Sequence, residues 1–361
     1  MPTLPAEPHI AAGLNAGSRS ARLLQVTWEM TQACHWKSTK VRASGRAARA
    51  NYGFSTAEAF HLIEQVADLQ VPLLVLTGGD PLLRPDLFPI VEFAAQRSVR
   101  TSLTLLPTLL VTRETISELK ERGLMRLNFW MHGSTAALDD AQWNVRGCHR
   151  RTVEAIGFCH EVELPVQINT MLSRRNVRDL EPMVDLLMRL DVALWNVFFL
   201  VPSGPEQQGE VLNAEEHEQA FAKLYAAQKR VQFQIKTTEG PQYQRYVQQK
   251  SKEMRGRDPG MDAITGLPKG VNDGKSSVFI NPVGEVLPSR FLPLSGGNVT
   301  AKPLAEVYSE SQLFRSLRDR TKLKGKCGRC TFRNVCGGSR ARAYAMTGDL
   351  FAEDPCCAYK A

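Results

Sequence analysis

Short apolar runs alternate with amphipathic segments through the first two thirds of the chain. The apolar runs are compact and rich in β-branched residues, which is typical of buried strands. They predict strands at 23–30, 72–77, 101–106, 125–131, 166–172 and 193–201, with a further strand at 231–237. Strands that are apolar on both faces and separated by helices predict a parallel sheet covered by helices.

Helix signals fall between these runs. Ser55 and Glu58 have the spacing of a capping box, which predicts a helix from there to about residue 69. Gly123 ends a predicted helix over 112–122. Further helices are predicted at 151–162, 176–190, 213–228 and 240–252, and the alternation 277–287 predicts a hairpin.

Several residues suited to ligand binding follow the predicted strands. Cys34 lies in the loop after the first strand, and Gly78-Gly79-Asp80-Pro81 follows the second. Adjacent glycines let a backbone approach another group closely. His132, Asn169 and the 202–204 turn belong to the ends of later strands. Because chemistry in parallel barrels lies at the carboxyl ends of the strands, we expect all of them at one mouth.

The tail carries the most specific pattern in the chain. Five of the eight cysteines lie in the last 35 residues, and four of them have the spacing Cys327-x2-Cys330-x5-Cys336-x20-Cys357. Four thiolates at this spacing suit a [4Fe–4S] cluster. A four-cysteine zinc site is the competing interpretation. Cys356 is either an alternate ligand or a spare thiol.

The order of strand, cysteine loop, Gly-Gly-Asp-Pro turn and tail cysteines resembles the radical SAM superfamily, in its SPASM/twitch branch, over about residues 22–361. The resemblance implies a partial (β/α)6 barrel of the TIM type and not a doubly wound sheet. It implies a barrel at 22–252, a linker at 253–275 and a small cluster module at 276–361, after a flexible tail at 1–21.

The resemblance also implies which residues bind cofactors. Gly78, Gly79, Asp80, Pro81 and Asn169 correspond to positions that bind S-adenosylmethionine. The tail cysteines correspond to an auxiliary cluster with no open iron, for electron transfer or structural support.

The first loop departs from the family's pattern of three cysteines spaced CxxxCxxC. Cys34 occupies the first position, but Ser38 and Val41 stand at the second and third. One thiolate cannot replace three. Large side chains at the mouth, namely Trp36, Trp130 and Trp143, could also fill the space of a nucleoside.

These departures predict a pseudoenzyme or repurposed binding protein that keeps the auxiliary cluster, and they leave S-adenosylmethionine binding open. Its ligand would be a peptide, a small molecule or a partner enzyme. One alternative is an active radical SAM enzyme modifying a peptide or a tetrapyrrole. Another is a non-radical catalyst at the barrel mouth, with a metal bound by Cys34 and His35 or His132. The loss of ligands could be natural or engineered.

Composition and charge limit the partners and the cellular compartment that we expect for the protein. The net charge of +8 is spread along the chain, which is typical of a solvated surface or of affinity for an anionic partner. The sequence has no nucleic-acid-binding motif, so we expect no nucleic-acid partner. It has no run of 18 apolar residues, so we expect no membrane span. The lack of an apolar N-terminal segment and the clustered cysteines predict a reducing cytoplasm. His132 and His149 are expected to be hydrogen-bonded histidines, Cys148 lacks metal spacing, and Cys159 is expected in the core.

Overall fold

The computed structural model describes residues 22–34, 53–255 and 274–360. In this part of the chain a single nine-stranded sheet has the order β7-β6-β5-β4-β3-β2-β1-β8-β9. All neighbours pair in parallel except β8 and β9, which form an antiparallel hairpin. The strands are β1 (Gln25–Glu29), β2 (Leu73–Thr77), β3 (Thr101–Leu105), β4 (Arg126–Trp130), β5 (Val166–Leu172), β6 (Leu194–Phe199), β7 (Gln234–Thr238), β8 (Ser277–Ile280) and β9 (Val286–Leu287).

Helices follow most of the strands. They are α1 (Thr56–Asp68), α2 (Leu87–Gln96), α3 (Arg113–Glu121), α4 (Ala136–Trp143), α5 (Cys148–Glu161), α6 (Leu180–Arg189), α7 (Pro205–Gln208), α8 (Ala214–Gln228), α9 (Gln242–Arg255), α10 (Leu304–Glu310), α11 (Gln312–Arg318), α12 (Gly325–Arg329) and α13 (Arg340–Thr347). The capping box predicted at Ser55 and Glu58 is present. None of these helices combines the length and the apolar character needed to cross a membrane.

The sheet curls into a partial barrel. Lys236 on β7 and Gln25 on β1 lie at distant positions in the strand order, yet Lys236 Nζ is 3.5 Å from Gln25 Oε1. Contact between side chains of such distant strands requires that the inner face of the sheet closes on itself. The predicted partial barrel of parallel strands is therefore confirmed.

The two faces of the sheet have different character. The outer face and the helices form the main apolar core, in which Trp28, Phe129 and Trp195 are fully buried. Asn128 and Asn169 lie on the inner face in register with neighbouring polar residues. A parallel sheet inside helices buries its outer face against them, whereas the interior of an open barrel keeps polar groups that bind one another or a ligand.

Several features differ from the sequence prediction, including β7, which begins at Gln234 and not at 231, and α6, which begins at Leu180 and not at 176. The short helix α4 was not predicted, and α5 begins at Cys148, three residues before the predicted start at 151. Strand β8 was assigned to the C-terminal module, but it pairs with β1 and extends the barrel sheet. The predicted tail at 1–21 and most of the predicted linker at 253–275 lie outside the described residues.

Candidate active site and tail metal centre

The Gly-Gly turn after β2 packs directly against the segment that follows β1. Gly79 N donates to Thr31 O at 2.9 Å, and Asp80 N donates to Ala33 O at 2.7 Å. A Cβ on Gly79 would lie 2.3 Å from Ala33 O, and one on Gly78 would lie 2.6 Å from Thr31 O. These glycines allow the two loops at the barrel mouth to touch, and they fix the position of the chain just before Cys34.

The side chain of Asp80 is fully buried beneath this turn. It accepts hydrogen bonds from Leu82 N at 3.2 Å and from Thr108 Oγ1 at 3.0 Å. It thereby caps the short 3-10 helix Pro81–Leu83 and ties β2 to the loop after β3. These contacts engage the carboxylate with the protein, so the turn presents mainly backbone groups to the mouth.

Arg84 holds the two ends of the loop that follows β1. Its guanidinium donates to Met30 O at 3.0 Å and to Phe54 O at 2.8 Å, and its Nε is 2.7 Å from Asp86 Oδ1. Met30 precedes the loop and Phe54 follows it. This buried arginine therefore sets the frame from which residues 35–52 extend, although those residues themselves lie outside the described part.

Cys34 is half-buried at the mouth and packs against an apolar cluster. The buried members of that cluster are Leu106, Trp143 and Cys148. Ser38, Val41, His35 and Trp36 lie outside the described residues. By sequence, the CxxxCxxC positions offer one thiolate, a hydroxyl and an isopropyl group, and this donor set does not fit a three-thiolate cluster.

Of the two histidines at the mouth, His132 is hydrogen-bonded to protein groups, as expected. His132 Nδ1 accepts from Met171 N at 3.1 Å, and the buried Asp139 accepts from His132 N at 2.6 Å. His149 Nδ1 lies 3.7 Å from Asp139 Oδ2 and has no hydrogen-bond partner within the described residues, so the prediction of a hydrogen bond is not met at this nitrogen. Cys148 is fully buried beside Asp139 and Asp140, and burial raises the pKa of its thiol. Cys159 is buried in the core as expected, and burial raises its pKa to about 12.

A row of aromatic rings crosses the mouth from the barrel to the tail. The ring centroids of Trp130 and Phe198 are 4.9 Å apart, and those of Phe198 and Phe291 are 6.2 Å apart. His132 extends the row to Trp143, with centroids 5.0 Å apart. Trp130, Phe198 and Phe291 are half-buried, so the row presents part of its surface to the mouth.

Polar side chains lie below this row on the inner face. Gln167 Nε2 donates to Asn169 Oδ1 at 2.7 Å, and Thr238 Oγ1 donates to Asn196 Oδ1 at 2.9 Å. Asn128 Nδ2 donates to Thr104 Oγ1 at 3.1 Å. Of this set, sequence reasoning found Asn169 alone. The signal was present, because the polar residues alternate with apolar ones along β4, β5 and β6.

Glu29 is the acidic residue at the end of β1. Burial raises the pKa of its carboxyl, and the nearby Arg290 guanidinium acts in the opposite direction. Glu29, Arg290 and Lys236 bring both signs of charge to the mouth.

The four predicted tail cysteines line one cavity. Cys327, Cys330, Cys336 and Cys357 surround it, and it has about 360 Å³ of open space including its mouth. Cys356 does not line the cavity; it is buried, and burial raises its pKa to about 11.

Backbone amides already point at the cavity's sulfurs. Phe332 N lies 3.4 Å from Cys330 Sγ, Gly338 N lies 3.3 Å from Cys336 Sγ, and Asp354 N lies 3.5 Å from Cys327 Sγ. Gly337 and Gly338 both have a left-handed φ, near 70°. A Cβ on Gly338 would lie 3.3 Å from Cys327 Sγ and 2.7 Å from Asp354 Cβ, so glycine is needed where this turn closes around the thiols.

The four thiols line a cavity with room for a cluster. Among the described residues, no three His, Cys, Asp or Glu side chains come close enough together to hold one metal ion. The four thiols nevertheless face a common space, which suits a group several atoms across. Burial raises the pKa of the Cys336 thiol to about 12, so without a metal this thiol stays protonated, and metal binding must release its proton.

A buried polar network joins the tail to the barrel. Asp354 accepts two hydrogen bonds from Arg342, at 2.8 and 3.1 Å, and one from Gln242 Nε2 at 2.7 Å. Arg342 Nη1 also donates to Glu239 O at 2.7 Å, just beyond β7. The Glu239 carboxylate accepts from Ser289 Oγ at 3.1 Å and from Ser339 Oγ. Sequence reasoning missed this network, since nothing local marks such residues as partners.

Comparisons with known proteins are consistent with this architecture. Residues 34–187 match the family model described as the Radical SAM superfamily. The chain is 34% identical over 339 residues to an AdoMet-dependent heme synthase of Methanosarcina barkeri, which covers 93% of this chain and 96% of that protein. It is 33% identical to the AdoMet-dependent heme synthase of Nitratidesulfovibrio vulgaris, over 96% of this chain and 95% of that one.

The fold is also found among solved structures. Streptococcus suis SuiB bound to S-adenosylmethionine superposes with a TM-score of 0.71 at 15% identity, covering 94% of this chain and 78% of that chain. This likeness supports the partial barrel fold.

The hypothesis of a pseudoenzyme or repurposed binding protein is wrong. Relatives that share a third of their residues across nearly the whole length are named as synthases that depend on S-adenosylmethionine. The family uses a [4Fe–4S] cluster and S-adenosylmethionine, so leaving that cofactor in doubt was also an error. The error came from giving two positions of one loop more weight than the whole chain.

Proposed function

Because the chain belongs to the radical SAM superfamily, we propose that it is an active enzyme that uses S-adenosylmethionine and acts on a tetrapyrrole. The observation that carries the proposal is the identity of 34% and 33% to two AdoMet-dependent heme synthases across more than nine tenths of the chain.

The barrel mouth supports this substrate class. Trp130, Phe198 and Phe291 form a half-buried aromatic row on which a flat macrocycle can stack. Arg290 is exposed and Lys236 lies inside the barrel, and both carry the positive charge that would attract the acidic side chains of a tetrapyrrole. The Gly78–Pro81 turn and Asn169 are proposed to bind S-adenosylmethionine through backbone groups and an amide.

The loop after β1 sets a limit on the mechanism. Cys34 is its single thiolate at the expected spacing, and Ser38 and Val41 replace the other two. No step of the reaction is therefore assigned to a cluster at this loop.

The tail is proposed to hold an auxiliary [4Fe–4S] cluster through Cys327, Cys330, Cys336 and Cys357. Such a cluster supplies one-electron transfer when bound. The amides of Phe332, Gly338 and Asp354 donate to three of the sulfurs, which stabilises thiolates and tunes their electronic environment. We also propose that residues 276–361 act as the cluster module and residues 22–252 as the barrel, with β8 of the module paired to β1 in the barrel sheet.

The catalytic proposal is tested with anaerobically reconstituted full-length protein, S-adenosylmethionine and dithionite as the source of electrons, by measuring 5′-deoxyadenosine and methionine chromatographically. Iron porphyrins that differ in their number of carboxylates are titrated in parallel and followed by the shift of the Soret band. We expect cleavage by the native protein and a Soret shift that weakens in Phe198→Ala.

A matched variant makes this test decisive. Ser38→Cys combined with Val41→Cys completes the thiol pattern and serves as the positive control. Cleavage by this variant, with none by the native protein, would overturn the catalytic proposal. An unchanged Soret band with every porphyrin would overturn the substrate class.

The tail proposal has its own measurement. Iron and acid-labile sulfide are counted per chain in the native protein and in Cys330→Ala. We expect the variant to lose about four irons. One zinc in place of iron, or no loss of iron in the variant, contradicts the cluster.

A further inference from the structure

Three exposed leucines lie close to the barrel mouth. Leu109 and Leu110 belong to the loop that joins β3 to α3, and they are 85% and 38% exposed. Leu138 belongs to the first turn of α4, which follows β4, and it is 39% exposed. A single exposed apolar side chain is common on protein surfaces. Here three of them occur on two segments that follow the carboxyl ends of paired strands, which calls for a common explanation.

Arginines without acidic partners lie on the neighbouring segments. Arg146 belongs to the turn between α4 and α5, Arg150 to the first turn of α5, and Arg178 to the segment after β5. All three are exposed, and within the described residues no carboxylate lies at ion-pair distance from any of them. The nearby Arg113, in contrast, pairs with Glu161. Exposed arginines that lack an acidic partner are available to bind an anion outside the protein.

Hydrogen bonds bring these segments onto one surface. The Arg151 Nε donates to Pro107 O at 2.8 Å, and its Nη2 lies 3.5 Å from Arg146 O, so this side chain joins the leucine loop to the turn between α4 and α5. Ser134 donates to the Asp179 carboxylate through its N at 2.6 Å and its Oγ at 2.7 Å, which holds the segment after β5 beside the start of α4. We call the exposed residues of this surface the leucine–arginine edge: Leu109, Leu110, Leu138, Arg146, Arg150 and Arg178.

The two acidic residues of α4 bind other groups of the protein. Asp139 is fully buried and accepts from His132 N at 2.6 Å. Asp140 accepts from Gly147 N and from His149 N. These carboxylates therefore do not offset the positive charge that the edge presents to solvent.

We propose that the leucine–arginine edge docks the protein on an anionic phospholipid membrane. Leucines on a surface loop can enter the boundary between headgroups and acyl chains, and guanidinium groups beside them can bind the lipid phosphates. This mode is contact with one leaflet and not a span of the bilayer. Because the edge follows β3, β4 and β5, docking turns the barrel mouth toward the lipid. The inference depends neither on the substrate of the mouth nor on the tail cluster.

A second protein fits the edge less well. The core of a protein interface is typically a contiguous patch that is rich in aromatic side chains and depleted in charged ones. The apolar residues of the edge are all aliphatic, and the segments beside them carry the arginines. Separate leucines next to cations suit a fluid surface, which adapts to each side chain.

The test measures how the full-length protein partitions onto sedimented vesicles. Vesicles of phosphatidylcholine alone are compared with vesicles that also contain phosphatidylglycerol, at low and at high ionic strength. Leu109→Gln with Leu110→Gln removes the apolar part of the loop. Arg146→Glu with Arg150→Glu reverses two charges of the edge.

Each of these variants has a matched control outside the edge. Met188→Gln with Met346→Gln removes two other exposed apolar side chains. Arg100→Glu with Arg189→Glu makes the same change in net charge just before β3 and at the end of α6, where both residues are exposed. Circular dichroism confirms that every variant is folded.

We expect the native protein to bind the anionic vesicles, and to bind them less at high salt because salt screens the arginines. Each edge variant should lower the partition coefficient about tenfold or more, whereas the two controls should keep the native value.

Several results would overturn the proposal. Native binding by the leucine variant would reduce the edge to a contact between arginines and phosphate, without insertion. Equal losses in an edge variant and its control would show that the site is not specific, and no binding of the native protein to anionic vesicles would exclude the membrane. A native dimer in analytical ultracentrifugation, abolished in the leucine variant and found without vesicle binding, would assign the edge to a protein interface instead.

Discussion

Two fully buried charges, Arg342 and Asp354, form the most constrained ion pair among the described residues. Both side chains are 0% exposed, and Asp354 also accepts from Ser339 N and Cys356 N. The Arg342 guanidinium is the main favourable influence that holds the pKa of Asp354 down, at about 2, against the cost of burial. A buried pair of this kind contributes specificity more than net stability, but removing one partner leaves an uncompensated charge.

Replacing Asp354 with Asn should therefore be costly. We expect Asp354→Asn to lower the free energy of unfolding by about 3–5 kcal/mol, because Arg342 remains buried and charged. Denaturant unfolding measures this loss. Asp349→Asn is the matched control: its partner Lys324 is exposed, and the expected loss is below about 1 kcal/mol. Equal losses in the two variants would contradict the argument.

His217 makes stability depend on pH. Burial lowers the pKa of its imidazole from 6.5 to about 4. Its Nδ1 lies 2.8 Å from Asn213 O, and within the described residues its Nε2 has no hydrogen-bond partner. Protonation would place an unsatisfied N–H among Phe199 and Phe221.

The direction in which stability changes with pH follows from the lowered pKa of His217. The unfolded chain binds a proton at pH values where the folded chain does not, so the stabilisation is complete above about pH 6.5 and is lost as pH falls through about 4. We expect protonation of His217 to lower the free energy of unfolding by on the order of 3 kcal/mol as the pH falls through this range. Unfolding midpoints at several pH values, for native protein and His217→Gln, measure it. A variant with the native slope would rule the group out.

Among the elements, the Gly78-Gly79 turn sets the geometry of the mouth. We expect Gly79→Ala to destabilise the fold by roughly 1–3 kcal/mol, because the new methyl would meet the Ala33 carbonyl and push the Cys34 segment outward. Gly157→Ala is the control: it lies exposed inside α5, with nothing within 4 Å of its added Cβ. That change should stabilise by about 0.5–1 kcal/mol. Thermal unfolding compares the two, and a stabilising Gly79→Ala would contradict the close approach.

The sequence predicted elements wherever local pattern decides structure. The β5 boundaries 166–172 agree with the structure because β-branched residues recur at alternate positions there and nearly the whole strand is buried. The helix α4 was missed because it is only eight residues long, although Thr135 at its start and Asn144 in a left-handed conformation at its end are recognisable caps. Pairing of β8 with β1 depends on residues 252 positions apart, which no local pattern encodes.

The residues of the candidate sites were likewise predictable only where a local sequence pattern marks them. The spacing of Cys327, Cys330 and Cys336 is local, and it predicted the residues that line the cavity. The partners that hold the cavity in place are not local. No feature of the sequence distinguishes Glu239 and Asp354 from acidic residues on a surface. Only the packing of the tail against β7 makes them buried hydrogen-bond acceptors.

At the scale of the whole molecule, barrel and tail share one network. Glu239 lies just beyond β7 and binds Ser289 and Ser339, which belong to separate segments of the tail. Arg342 binds the backbone of the same residue. Unfolding of either part exposes the polar groups of the other, which is a physical basis for a single cooperative transition.

Removal of this link should uncouple the two parts. We expect the native reconstituted protein to lose its far-UV circular dichroism and the visible absorbance of its cluster at the same temperature. Glu239→Ala removes the acceptor of both serines, so its tail should lose the cluster at a lower temperature than the barrel unfolds. Glu285→Ala is the control, because its carboxylate binds Asn281 within the β8–β9 hairpin and does not cross to the barrel. Coincident transitions in Glu239→Ala would show that cooperativity comes from the shared strand pairing of β8 with β1 and not from the buried network.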